Sequence, residues 1–478
     1  MDYGITELLN LTDEDSKLVD FHIEGNTKFI TIEKNYKSLT CPICGSRLHS
    51  KGLFTRKPNN PILQDGYNLF ITLKGRRWEC SNNRCDYSCR DQFDFIEPNK
   101  RNTKLVPLMI VRDMKDLHLS CRQVASRYNV SDTYVHEVFM QYVSMPRLPL
   151  TEIISIDEVY LNISPQFKYA VVIMDFNTGE ILDIVPSRRK EVMHNYFMSI
   201  PKEEREKVKY LVSDMYNPYI NYTNKYFPNS VSIVDSFHIL QWLLTFINRY
   251  INGVKKKYLE RDRKQLEERN YKNNKDFETQ KDSREVYILK HAKWVLLMNH
   301  KNMHTYPRQY NRFLDQYLDS FDWENMFLSL NDHFKEILEL KELYEEFNGS
   351  FINDYDGATA RLTELIQIYK ASNLTIFKQF ANLLENYFPY IVNSFKYIKP
   401  AKVKEHETTL RRLSNGPMES FNNIPSAFRT RSHGLKNFEF ARNRILWSRR
   451  PNAAILAVPK DKKAIQNKTG VKRGPYNK

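Results

Sequence analysis

Nowhere in the chain is there an uninterrupted apolar stretch of the roughly 18 residues that a membrane-spanning helix requires, so a helical membrane protein is excluded. Cysteine is scarce, with six in 478 residues, too few for the disulfide framework that staples a secreted protein. The opening stretch, MDYGITELLNLTDEDSKL, lacks the charged-then-apolar order of a signal peptide. The expectation is therefore a soluble, cytoplasmic protein with no membrane partner. Acidic residues are nearly missing from one end only: residues 399–478 hold 5 Asp and Glu against 19 Lys and Arg. That segment supplies most of the chain's formal net charge of +15. An excess so localised forms a basic surface, and its natural counterpart is a polyanion, nucleic acid foremost. At 41% hydrophobic and 13% aromatic residues, the chain has ample material for buried cores. Its length calls for about three domains.

Five of the six cysteines cluster. Cys41-Pro-Ile-Cys44-Gly45 has the form of a zinc knuckle, in which a tight turn aims two thiolates at one ion and glycine relieves the backbone. Cys80 and Cys85 form the better second pair, with Cys89 as a spare or alternative ligand. Four thiolates make a closed, structural Zn²⁺ site with no position left for chemistry. Leu69–Trp78 reads as a strand between the pairs, so residues 1–102 are expected to be an N-terminal region containing a zinc ribbon. In so small a core the metal would supply stability that burial cannot.

Residues 103–149 read as three short helices. Ser120 and Ser131 stand where N-caps belong, and Asn129 makes the turn between the second and third. The apolar spacing of Val124, Ala125, Tyr128, Val130 and Val135 matches a DNA-binding helix-turn-helix. It leaves Asp132, Thr133, Tyr134 and His136 facing outward on the recognition helix.

From residue 150 the period changes. Strands are expected at Ile153–Leu161, Phe167–Met174, Glu180–Val185, Val208–Asp214 and Ser230–Asp235, with helices between the later ones. Three antiparallel strands followed by helix, strand, helix, strand is the order of a ribonuclease-H-like α/β domain. In such a sheet Asp157 and Asp214 lie on neighbouring strands, and paired carboxylates are ligands that Mg²⁺ prefers. Two such ions would serve phosphoryl transfer, but a third acid is needed. Residues 241–400 are nearly all helix-forming and interrupt this frame. At 401–450 the chain re-enters with Gly416-Pro417 at a helix start. Glu419 falls in its first turn, where an acid also complements the helix dipole. Residues 451–478 read as a basic, flexible tail. The whole is a multidomain α+β protein.

The order of these blocks is distinctive. Cys-Pro-x-Cys-Gly, Trp-x-Cys-x4-Cys and the helix-turn-helix are followed by Ser-Ile-Asp157-Glu, Ser-Asp214-Met and Val-Asp235-Ser-Phe-His238. Then come Ser-Asn-Gly-Pro-Met-Glu419-Ser-Phe-Asn, Arg429-Thr-Arg-Ser-His-Gly434 and Arg442-Asn-Arg-Ile-Leu-Trp447. This order resembles the ISL-three family of bacterial insertion-sequence DDE transposases, over roughly residues 38–447. The resemblance implies that Asp157, Asp214 and Glu419 are the catalytic triad that holds two Mg²⁺ or Mn²⁺ ions. It implies that the helical segment is an insertion between the second and third members, and that Asp235 and His238 support the site without ligating metal. It also implies that the N-terminal modules bind the element's terminal inverted repeats, and that a homo-oligomer at the nucleoid joins the ends to target DNA. Arg429, Arg431, Arg442 and Arg444 are the candidate contacts to double-stranded DNA. Two features depart from the family pattern: Ser420 replaces a common glycine, and Pro425 should kink or end the helix two turns after Glu419. The competing expectation is an inert, sequence-specific DNA-binding protein derived from such an element.

Overall fold

The computed structural model describes residues 13, 15–35, 37–61, 63–64, 66–97, 100–164, 167–273, 282–351, 354–396, 398–404, 407–432, 435 and 437–466. His433, Gly434 and Lys436 of the C-terminal motif, and residues 467–478 of the expected tail, lie outside the described residues. The chain divides into two compact units, one of residues 1–147, 160–168 and 424–478, the other of residues 148–159 and 169–423. The fold is mixed α/β.

The first unit opens with a six-stranded sheet of β1 (Ser16–Glu24), β2 (Thr27–Lys34), β3 (Leu48–Arg56), β4 (Leu63–Gln64), β5 (Tyr67–Cys80) and β6 (Ser88–Arg90), ordered β1-β2-β5-β3 with β4 and β6 also on β5. Strand β5 alternates buried and exposed residues along most of its length, and Leu69, Ile71 and Leu73 pack on Ile30 and Ile32 of β2. The strand expected at 69–78 is therefore the middle of a longer one, and the pairing of β2 with β5 is parallel.

Three helices follow: α1 (Leu105–Asp113), α2 (Cys121–Arg127) and α3 (Asp132–Tyr142). Ser120 caps α2 in a reciprocal capping box with Gln123, and the Ser131 hydroxyl accepts from the Tyr134 amide at 3.1 Å. Asn129 takes φ 49° at the turn, a conformation that asparagine tolerates.

The second unit holds most of a five-stranded sheet of β7 (Ile153–Ser164), β8 (Phe167–Asp175), β9 (Ile181–Val185), β10 (Tyr210–Ser213) and β11 (Val231–Val234), in the order β11-β10-β7-β8-β9. Strand β10 runs parallel to both β7 and β11, whereas β9 is antiparallel to β8. Helix α4 (Lys190–Met198) covers one face, setting Met193 and Phe197 on Ile154, Ile156 and Ile173. The other face carries Ile153, Val212, Ile233 and Leu413.

From β11 the chain enters α5, 38 residues long (Ser236–Asn273). It packs with α6 (Arg284–His291), α7 (Phe334–Gly349), α8 (Tyr355–Ala371) and α9 (Thr375–Lys396) around one aromatic-rich core. This segment is mostly helical, but it includes a short hairpin, Gln309–Asn311 with Gln316–Leu318. A second hairpin, Ile398–Lys404 with Glu407–Arg412, leads to α10 (Gly416–Arg431). Pro425 does not end α10, which continues to Arg431. Helix α11 (Phe438–Arg449) closes the first unit against α1–α3. Among the described residues no helix is long and apolar enough to cross a membrane.

Candidate functional site

Two clusters of ligand-type side chains stand out, one in each unit. The first is made by two knuckles. At Cys41–Gly45 the Gly45 amide donates to the Cys41 carbonyl at 2.9 Å, and Gly45 takes φ 73°, where any other residue would be strained. At the second knuckle the Asn82 amide donates to the Cys80 sulfur at 3.5 Å. Ligand atoms of Cys41, Cys44, Cys80 and Cys85 all lie within 4.8 Å of one another. The Cys44–Cys80 sulfur pair is 3.4 Å apart and the Cys41–Cys85 pair 3.7 Å. A tetrahedral ion with bonds of about 2.3 Å needs sulfurs about 3.8 Å apart, so the set fits a four-thiolate zinc site. Bonds from Ser46 lower the Cys44 thiol to about 6. Cys80, although the Asn82 amide lowers it, is pushed up to about 12 by burial and its bond to Cys44. Cys89 sits beside Trp78 on β6 and is not in the group.

The second cluster follows from strand register. Ile156 pairs with Ser213, and Ser213 pairs with Val234. One step further along the three parallel strands come Asp157, Asp214 and Asp235, side by side. Strand alternation puts them on the face of Val212 and Ile233. Leu413, on that same face, brings in α10, whose first turn carries Glu419.

His238, in the first turn of α5, is the centre of the arrangement. Its Nε2 lies 2.6 Å from Asp214 Oδ1 and 3.8 Å from Glu419 Oε1. Ligand atoms of Asp235, His238 and Glu419 lie within 4.8 Å of one another. Asp235 and His238, expected beside the site but not as ligands, thus form with Glu419 the group that could hold an ion, and neither Asp157 nor Asp214 belongs to it. Asp157 is 8% exposed, and burial together with the Asp214 charge pushes it up to about 7. Burial also raises Asp235 and Glu419. Burial alone would lower His238, but Asp214, Asp235 and Asp157 raise it to about 9. One oxygen of Asp235, Oδ2, is buried with no protein partner. Two carboxylates and a histidine with their ligand atoms together, and an orphaned buried oxygen on Asp235, fit a divalent cation.

The expected DNA contacts divide. Thr133 is exposed and Tyr134 half-exposed on α3. His136 does not face outward: its ring stacks on Phe440 of α11 at 4.5 Å, and burial lowers its pKa. Arg431 is exposed, and the Arg429 guanidinium lies 4.6 Å over the Tyr160 ring. Arg444 is 1% exposed and donates to the carbonyls of Met114, Asp116 and Leu119. Arg442 donates to the Met145 carbonyl at 2.8 Å. These two arginines hold α11 to the three-helix unit, so Arg444 offers no surface to a phosphate. Spacing could not reveal this, because the carbonyls they satisfy lie some 300 positions earlier. The expected tail likewise packs as far as Lys460: the Leu456 amide donates to the Tyr142 carbonyl and that of Lys460 to Gln141, both at 2.9 Å.

A family model described as a transposase, the ISL-three type of the DDE class, matches residues 154–445, more than half of the chain. No curated protein matches the sequence.

Proposed function

The chain belongs to the ISL-three family of DDE transposases, and from that premise we propose that it cleaves the ends of an insertion sequence and joins them to target DNA. In this reading the five-stranded sheet is a ribonuclease-H-like frame. Asp157, Asp214 and Glu419 would hold two Mg²⁺ or Mn²⁺ ions, with Asp235 and His238 beside them. The single observation that carries it is the row of aspartates on three adjacent strands, with Glu419 brought to 3.8 Å of His238, the partner of Asp214. An inert DNA-docking protein has no reason to keep so much negative charge together.

Divalent cations bound there would activate the attacking hydroxyl and neutralise charge on the leaving oxygen. The protein's own groups do the rest. Asp157 on β7 and Asp214 just past the end of β10 would hold their ligand oxygens in place. Asp214 and Glu419 are the more exposed carboxylates and would face the incoming strand. Before any cation binds, His238, raised to about 9 by Asp214, Asp235 and Asp157, limits their repulsion. Water attacks the phosphorus at the element end and the bond to the 3′-oxygen breaks, leaving a 3′-hydroxyl. That hydroxyl attacks a target phosphodiester and displaces its 3′-oxygen. The four-cysteine zinc ribbon and the helix-turn-helix, through Thr133 and Tyr134, would read the inverted repeats, while Arg429 and Arg431 contact phosphates. Joining two ends calls for a homo-oligomer.

Asp157→Asn should abolish strand cleavage, by at least 10³-fold, and leave binding to end DNA intact. Gel assays with a labelled element end measure both, and retained cleavage would remove Asp157 from the site.

A further inference from the structure

Glu419 does not arrive alone. Asn415 immediately precedes α10, and Asn422 lies one turn beyond Glu419. At spacings of four and three residues, all three fall on one helix face. The Asn422 amide Nδ2 donates to Asp157 Oδ2 at 2.7 Å, with a longer contact to the Glu158 carbonyl at 3.5 Å. The Asn415 amide Nδ2 donates to Asp214 Oδ1 at 3.4 Å. Each asparagine therefore grips one of the two aspartates that flank the place where Glu419 enters. Asn415 is fully buried, and the Oδ1 atoms of both asparagines are buried without a protein partner. The amide orientation follows from chemistry, since a carbonyl turned toward a carboxylate would set two acceptors together.

We propose that Asn415 and Asn422 are positioning residues of the metal centre: a pair of neutral amides that dock the Glu419 helix onto the two aspartates and orient those carboxylates for the cations. This rests on the triad reading above. The residue type fits the task. An acid at either position would add to a cluster already crowded with negative charge, and a lysine would compete with the cation. An amide donates a hydrogen bond without either cost. The pair also answers a problem of assembly, because Glu419 follows Asp214 only after the whole helical segment. Two directional bonds from one helix to two strands set the register of α10 against the sheet, which apolar packing by Met418 and Phe421 alone would leave free to slide.

The test uses the full-length protein and Mn²⁺ alone, with free Mn²⁺ followed by electron paramagnetic resonance. Asn422→Ala and Asn415→Ala should each weaken Mn²⁺ affinity about 10- to 100-fold. Asn422→Leu, which keeps the volume and removes the donor, should match Asn422→Ala and so separates the lost bond from a packing hole. End-DNA binding should be unchanged, and raising Mn²⁺ to saturation should restore most of the cleavage rate. Wild-type Mn²⁺ affinity in these variants would overturn the proposal, as would lost cleavage that saturating Mn²⁺ does not rescue. Asp157→Asn serves as the reference. If it too binds Mn²⁺ like the wild type, the metal-site reading fails, and not merely the role of the amides.

Discussion

The four-cysteine cluster and the carboxylate cluster solve one problem, gathering like charges, by opposite means. The cysteines come from two short knuckles in a single sheet, and backbone hydrogen bonds with one left-handed glycine place them. The carboxylates come from β7, the ends of β10 and β11, and a helix that begins at residue 416. The metal-free thiols share protons unevenly, with Cys80 and Cys85 raised and Cys44 lowered to about 6. The carboxyls are raised as well, Asp157 to about 7, and the acid cluster also carries compensation in His238 and two asparagine amides. The locally built site thus has only a metal to balance its charge, whereas the site assembled across the sheet also has a histidine and two amides beside it.

The largest test of this contrast removes the zinc side. Cys80→Ser should release about one zinc per chain and cost the N-terminal sheet several kcal/mol, read by metal analysis and thermal unfolding. Mn²⁺ binding at the carboxylates should persist; its loss would mean that the two sites are not independent. Next, Asp157→Asn should stabilise the metal-free protein by about 1–3 kcal/mol, since it removes a buried like charge, and Mn²⁺ should reverse the ranking against wild type.

The pH dependence is the third. His238 is raised from 6.5 to about 9, so its contribution to stability is fully present below about pH 6.5 and is lost as pH rises through 9. Asp157 is raised from 3.8 to about 7, so its ionisation costs stability progressively between those values. Metal-free protein should therefore melt lower at pH 9 than at pH 6, and Mn²⁺ should flatten the slope. An equal slope with and without Mn²⁺ would break the comparison. The smallest effect is expected at Gly45→Ala: about 1–2 kcal/mol of strain at φ 73°, seen as weaker zinc retention with the carboxylate site untouched.

The legible parts of this protein were those written within a few residues. Cysteine spacing, the serine caps of α2 and α3 and the strand periodicity each follow from local geometry, and they place the elements well. Asp157 and Asp214 were legible because strand order makes their neighbours predictable. Glu419 was not, since an acid in a first helical turn is ordinary, and only the family resemblance singled it out. Arg444 and His136 misled for the complementary reason: a basic or polar side chain looks solvated until the distant surface it packs on is known. Tertiary structure alone decided that α11 closes against the three-helix unit. It alone brought Asn415 and Asn422 to the two carboxylates. Each of these depends on groups far apart in the chain, and burial and hydrogen bonding between such groups exist only once the sheet has formed.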